Sequence, residues 1–158
     1  MAKMLVCYYS RTQHTAHMAE AVGNGAREVD GVSVDVLDVG NVDVQALLRY
    51  DAIALGSPTY YGTIAAELKQ LIDESVAFHG RLAGKVGGAF ASSANVGGGN
   101  ETTVTDILKA MLVHGMVIQG NPKGDHYGPV SINKPDSRVK DQCRDLGKRV
   151  AELVKKVT

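Results

Sequence analysis

Short, nearly continuous apolar runs alternate with amphipathic stretches along the whole of this chain, and that alternation leaves few folds open. The runs Lys3 to Tyr9, Val32 to Val39, Asp51 to Gly56, Lys85 to Ser92 and Gly115 to Gly120 read as five strands. They are mostly unbroken rather than alternating, as strands are when both faces of their sheet are covered. Between them lie helical stripes: Met18, Val22, Ala26 and Val29; Ile64, Leu68, Leu71, Ile72 and Val76; Val104, Ile107, Leu108, Met111 and Leu112. A fourth runs from Val139 through Cys143, Leu146, Val150 and Leu153 to Val157, and a short helical turn is expected around Gln45 to Arg49. Alternating β and α units imply a parallel sheet with right-handed crossovers. The expectation is an α/β, three-layer, doubly wound domain spanning residues 1–158, with a five-stranded sheet in the order 2-1-3-4-5. A length of 158 residues, 44% of them hydrophobic, supports one domain with a real core.

Charge narrows the function classes. Seventeen basic side chains balance seventeen acidic ones, so no broad field draws in nucleic acid or an anionic lipid surface. No apolar run approaches the ~20 residues that cross a bilayer, and the N-terminus shows no cleavage signature, so a cytoplasmic protein without membrane insertion is expected. Cys7 and Cys143, the two cysteines, lack metal-site spacing and read as buried, reduced thiols; no metal is expected.

In a doubly wound sheet, ligands bind beyond the carboxyl ends of the strands, where the winding reverses. The loops after strands one, three and four therefore carry the argument. The first, Ser10-Arg11-Thr12-Gln13-His14-Thr15, puts three hydroxyls beside the free N–H groups of a helix N-terminus, which suits a phosphate. One such hydroxyl would be an ordinary helix cap; three in six residues favour the ligand. The second, Gly56-Ser57-Pro58-Thr59-Tyr60-Tyr61-Gly62, reads as a turn bracketed by Pro58 and Gly62, with two tyrosines suited to a planar ring. The third, from Ser92 to Glu101, carries Gly97, Gly98 and Gly99 in a row, which serve either a hinge or a close backbone approach to a ligand. Together they describe a pocket for a phosphorylated planar ring.

On these residues the chain resembles the flavodoxin-like FMN proteins. Ser10 to Thr15 is similar to the flavodoxin phosphate loop, whose pattern runs hydroxyl, any residue, Thr or Tyr, Gly, any residue, Thr. The loops Gly56 to Gly62 and Ser92 to Gly99, with Val113-His114-Gly115-Met116-Val117-Ile118, resemble the tryptophan-repressor-binding-protein-like (WrbA-like) NAD(P)H:quinone oxidoreductases. The resemblance implies tightly held FMN, its phosphate on Ser10, Arg11, Thr12, Gln13, His14 and Thr15. Pro58, Thr59, Tyr60, Tyr61 and Gly62 would lie at the ring, with Ser93, Ala94, Asn95, Val96, Gly97 and Gly98 on its other side. It also implies NAD(P)H as co-substrate and a quinone-like acceptor. In that family a neighbouring subunit supplies a histidine at the flavin, and His114 stands at the matching position. As a lone histidine ending a helix, His114 also reads as a partner of the helix dipole. Tyr127, with His126 beside it, is a further candidate for the rim.

Three departures stand out. Gln13 replaces the usual glycine of the phosphate loop. Only Gly40 to Tyr50 separates strand two from strand three, so the family's long insertion, which contributes to its tetramer contacts, is absent; a homo-oligomer, dimer or tetramer, is expected without them. The family's substrate-pocket tryptophan is missing, and Phe78 or His79 is offered in its place.

The leading expectation is an enzyme passing two electrons from NAD(P)H to a flat acceptor; the alternative is a flavodoxin-type electron carrier. Carriers of that kind are typically acidic, whereas this chain is neutral. A phospho-receiver domain would need an aspartate ending strand three, where Gly56-Ser57-Pro58 stands. A low-molecular-weight phosphatase needs five residues between its cysteine and arginine, and Cys7 and Arg11 have three. Gly23-Asn24-Gly25 lies inside the first helical stripe with Glu28 where a dinucleotide motif needs glycine, so it reads as close packing of that helix on the sheet.

Overall fold

A computed structural model describes residues 1–158. Strands β1 (Ala2–Tyr8), β2 (Val32–Asp38), β3 (Ala52–Tyr60), β5 (Val86–Ser93) and β6 (Val117–Ile118) form a parallel sheet in the order β2-β1-β3-β5-β6. The expected order of the principal strands is therefore observed. Helices α1 (His14–Arg27) and α4 (Ser137–Val157) cover one face; α2 (Ala66–Glu74) and α3 (Asn100–Val113) cover the other. The expected turn near Gln45 is a 3₁₀ segment, Val44–Arg49. Each face has its own core: Met4, Val6, Met18 and Phe90 among others on the α1/α4 side, and Leu5, Leu55, Leu68 and Ile107 on the α2/α3 side. All eight are buried, and each contributes on the order of 1.5–3 kcal/mol of transfer free energy.

Two expectations change. The fifth strand, expected from Gly115 to Gly120, survives only as β6, and the same edge of β5 is taken up again by β7 (Val130–Ile132). Residues 119–129 leave the sheet between them because they are rich in glycine and proline and are pinned to α4 instead. Arg149 donates to the Gln119 carbonyl (3.1 Å), Asn121 to Asp145 (3.1 Å), and the Asp125 amide to Gln142 (3.1 Å). This excursion delivers the end of β7 to the carboxyl edge of the sheet.

The second change concerns the turn after strand three. It is not bracketed by Pro58: β3 runs on through Pro58, which pairs with Ser92, to Tyr60, and the turn is Tyr61-Gly62 leading into the short β4 (Thr63–Ile64). Proline fits there because β1 ends opposite Gly56, so the missing N–H faces an edge with no ladder bond to lose. Tyr61 and Gly62 both have positive φ, 47° and 81°, the conformation a two-residue hairpin turn demands.

The glycines of α1 divide their work. Gly23 faces Val36 of β2, whereas Gly25 faces α4, where any side chain would strike the Arg144 carbonyl; Gly147 of α4 meets the Val22 carbonyl in the same way. The backbones of the two helices touch directly, so only Gly23 packs the helix on the sheet.

Candidate phosphate and ring site

A cleft of about 380 Å³ opens beyond the carboxyl ends of β1, β3 and β5. It is lined by Arg11, Thr12, His14, Pro58, Thr59, Tyr60, Ser92, Ser93, Ala94 and Asn133. Members of all three loops singled out in the sequence thus meet at one place.

Its floor is the entry to α1. The amides of Thr12, Gln13, His14 and Thr15 have no protein partner, while that of Ala16 donates to Ser10 Oγ (3.2 Å). Ser10 therefore serves the helix, and four N–H groups remain for an anion. Gln13 precedes the helix at φ 70° and ψ −3°, a left-handed conformation that glycine adopts without steric cost, and its side chain makes no capping bond. Thr15 is buried and shares a 2.9 Å hydroxyl bond with Ser92 of β5, which locks the loop to the sheet. His14 sits on the first turn with Nδ1 3.4 Å from Thr12 Oγ1. Arg11 is exposed and takes part in none of the ion pairs, and no carboxylate lines the cleft. A helix dipole alone contributes about 0.3–1 kcal/mol to an exposed anion, less than a bond to a charged partner at about 1.5–3 kcal/mol, so Arg11 and the aimed amides outweigh it.

One wall of the cleft is Tyr60, braced edge-on by Tyr9 with centroids 6.4 Å apart. The hairpin behind it is stitched to α3. Thr59 and Thr103 share a 2.9 Å hydroxyl bond, Thr102 donates to the Gly62 carbonyl (2.6 Å), and Thr63 donates to Asp106 (2.5 Å). Bonds from Lys109 and then Thr63 hold the Asp106 carboxyl below the usual carboxylate range. Gly99, at φ 104°, packs against Gly62 so closely that a side chain there would be 2.7 Å from its Cα.

Other candidates lie off this cleft. Tyr61 and Gly62 are at the hairpin tip, with Tyr61 wholly exposed. Asn95, Val96, Gly97 and Gly98 form an exposed turn above the opening, closed by a bond from the Gly98 amide to the Asn95 carbonyl. Tyr127 is exposed on the excursion between β6 and β7. His114 ends α3, which begins at the cleft and runs 14 residues, about 20 Å, away from it. There it stacks near Phe78 (6.5 Å) and His79 (5.8 Å), so all three sit at the amino edge of the sheet. Ser75 Oγ gives its one proton to the Ile72 carbonyl (2.6 Å), so it accepts from His114 Nε2–H (2.7 Å), which leaves Nδ1 as a buried lone pair with no partner. Burial, then the neighbouring His79, lowers the pKa of His114 from its ordinary 6.5.

Two lining residues are not among the ligand residues that the resemblance implies: Ser92, which ends the fourth predicted strand and opens the third loop, and Asn133, which belongs to no predicted element. Asn133 is left-handed (φ 57°), takes the Ser93 carbonyl with its amide (2.8 Å) and donates its side chain to the Ala94 carbonyl (3.3 Å). An asparagine directly after Val-Ser-Ile is the signal that could have marked it, since asparagine is enriched in that conformation.

A doubly wound sheet with unpaired amides, an arginine and an aromatic wall at its switch point defines a flavodoxin-like protein shaped for a phosphorylated ligand. The chain belongs to the NADPH-dependent FMN reductase family, whose model matches residues 4–123. A protein called flavodoxin from Aquifex aeolicus is 36% identical over 98% of this chain and 88% of its own. An NAD(P)H dehydrogenase (quinone) from Chromohalobacter salexigens is 32% identical over 99% of both. That alignment runs over 199 residues against the 158 here, so the relative carries segments with no counterpart in this chain. Among solved structures, a flavodoxin, WrbA-like protein from Agrobacterium tumefaciens superposes with a TM-score of 0.84 at 27% identity, each chain covered in full. A flavodoxin from the domain Archaea gives 0.80 at 32% identity, covering 97% of this chain and 99% of its own. The resemblance to flavodoxin-like FMN proteins and to the WrbA-like group holds in both sequence and fold.

Proposed function

We propose that this protein binds FMN and passes two electrons from NAD(P)H to a quinone or a similarly flat acceptor. The observation that carries the reading is the cleft: four unpartnered amides, Arg11 and His14 at one end, Tyr60 at the other, and no acid between. A phosphate fits the first end and a ring the second, with Thr59, Ser93 and Ala94 along its edges. FMN, when bound, supplies the hydride chemistry. The chain's part is to orient it: the Thr12 to Thr15 amides and Arg11 hold the phosphate, Tyr60 fixes the ring plane, and the braced hairpin keeps that wall from moving. No general acid or base is required of the protein, which agrees with the lack of any titratable pair in the cleft beyond His14 and Tyr60. The acceptor and the choice between NADH and NADPH belong to this proposal, as do a cytoplasmic setting, in keeping with two buried free thiols, and assembly with further copies. Only from a second copy can His114 reach a flavin, given its place at the far edge.

The test is rapid mixing of FMN-loaded protein with NADH and with NADPH. Bleaching of the flavin within seconds, reversed by a benzoquinone, is the expected result. No bleaching with either nucleotide overturns the enzyme. A second reading, an electron carrier, is favoured by end-to-end similarity to proteins called flavodoxin, at 36% and 32% identity. Against it stand the zero net charge and a loop from Ser92 to Gly99 without one acidic side chain. Well-separated one-electron potentials in a redox titration would support the carrier; a single two-electron wave supports the enzyme.

A further inference from the structure

The zero net charge is unevenly spread. Residues 28–78 carry nine acidic and two basic side chains, and residues 79–158 carry seven and twelve. The imbalance shows on the two flanks of the cleft. On the β2 side, Tyr9, which braces Tyr60, also lines a groove of about 360 Å³ with Asp38, Glu67 and Glu74 and with no cation. On the other side, Asn133 of the cleft is followed at once by Lys134, which lines two further grooves: one of about 540 Å³ between α1 and α4, and one of about 260 Å³ beside β7. Lys140 and Arg144 share the larger groove with Glu20 and Asp141; Arg138 and Asp136 share the smaller. Arg138 and Arg144 are spent on Asp125 and Glu28, and Asp136 caps α4, whereas the ammonium groups of Lys134 and Lys140 have no ion-pair partner. Lys134 is exposed, but its backbone is held: Asn133 is bonded to the Ser93 and Ala94 carbonyls, and the buried Pro135 disfavours a helical turn at the residue before it.

We propose that Lys134, with Lys140 behind it, is the docking site for the phosphates of the nicotinamide nucleotide, which therefore lies across the β7/α4 flank of the cleft. The inference deepens the proposed function and rests on it; it adds no chemical step. Reduction of the flavin needs only the nicotinamide at the ring, so the adenosine diphosphate half must leave the cleft over one flank or the other. That half is anionic. Over the β2 flank its charges would meet three carboxylates with no cation among them, which opposes binding. Over the other flank they meet two free ammonium groups, and the larger groove is of a size that holds a small ligand. A lysine serves such a ligand as a mobile point charge, which suits phosphates that arrive and depart in every turnover, unlike those of a resident cofactor.

The experiment compares FMN-loaded native protein with Lys134→Glu, Lys134→Arg and Lys148→Glu. Lys148 lies further along α4, exposed and outside both grooves, so its substitution makes the same change of net charge elsewhere. Lys134→Glu should raise KM for NADH and NADPH about tenfold, the sign reversal of a partly exposed ion pair, with kcat, the quinone KM and FMN affinity unchanged. Lys134→Arg should keep the native KM, and Lys148→Glu should leave every constant as it was. Calorimetric titration with ADP, which has no nicotinamide to react, should show binding to the native protein and weaker binding to Lys134→Glu. A larger loss for NADPH than for NADH supports the site and puts the 2′-phosphate on Lys134; equal losses support it and put the diphosphate there. An unchanged KM for both nucleotides in Lys134→Glu, or the same rise in Lys148→Glu, overturns the docking site and leaves the proposed function intact. No bleaching of the native flavin by either nucleotide overturns both.

Discussion

Two histidines each sit at the end of a helix, at opposite edges of the same sheet, and their surroundings could hardly differ more. His14 opens α1 in a polar cleft with free amides, hydroxyls and a guanidinium, and its Nε2 is unpartnered. His114 closes α3 against a small apolar cavity lined by Leu47, Ile53, Leu71 and Met116 among others, with Nε2 spent on Ser75 and Nδ1 stranded. The first environment stabilises a charge brought by a ligand, and the second penalises any charge at all. What separates them is the direction of the helices: in a parallel α/β sheet every helix N-terminus rises at the carboxyl edge, where ligands bind, and every C-terminus at the other.

The largest effect comes from spoiling the first environment. Thr12→Glu puts a carboxylate among the amides on an exposed residue, and FMN affinity should fall by at least about 100-fold, or ~2.7 kcal/mol. Riboflavin binding and the melting temperature should barely move. An FMN affinity within threefold of the native protein, by fluorescence titration, would mean that the phosphate is not held there. Thr15 is no equivalent probe: its hydroxyl is buried against Ser92, and a carboxylate in its place would cost the fold.

The second environment is read through stability. Folding lowers the pKa of His114 below 6.5, so the unfolded chain takes up the proton first. This group's contribution is complete above that range and is lost as the pH falls through 6.5 toward the folded value. For a partly exposed imidazole the loss should stay under about 1 kcal/mol. Urea unfolding of apoprotein at pH 7.5 and 5.5 checks it: His114→Leu should remove this part of the acid sensitivity, whereas His14→Asn should leave it in place. Equal acid sensitivity in native protein and His114→Leu would show that the stranded nitrogen is harmless.

How much of this the sequence discloses depends on whether a feature is local. The strand order is legible because five continuous apolar runs punctuated by amphipathic helices admit few topologies. The phosphate loop is legible because hydroxyl spacing and a helix start lie within six residues. The split edge is not, since β7 is three residues long and follows Gly128-Pro129, too short to register as a strand. Asn133 is hidden for the same reason: it joins the cleft only because β7 pairs with β5, some 40 residues earlier in the chain. Proximity in sequence gathered Tyr61 and Gly97 with the ring loops, but the type of turn points them elsewhere. His114 carries no local mark of its isolation, which arises from Ser75 and Ile72 on another helix and the turn that follows it.

The smallest effect tests whether backbone or side chain makes the cradle. Gln13 holds a left-handed conformation that costs a residue with a Cβ about 1–2 kcal/mol, and its side chain caps nothing in return. Gln13→Gly relieves that strain but frees the unfolded chain, which takes back about 0.4–1 kcal/mol. The net gain should be below about 1 kcal/mol, a rise of a few degrees at most in melting temperature for a chain of this length. FMN affinity should hold within about twofold, because the amide directions are set by the φ that glycine also adopts. Gln13→Val, whose β-branch resists positive φ, should instead lose stability and loosen FMN together. If Gln13→Gly weakened FMN more than tenfold at unchanged stability, the glutamine side chain would itself be a ligand contact, and the polar cleft would owe its selectivity to a side chain rather than to the direction of its backbone.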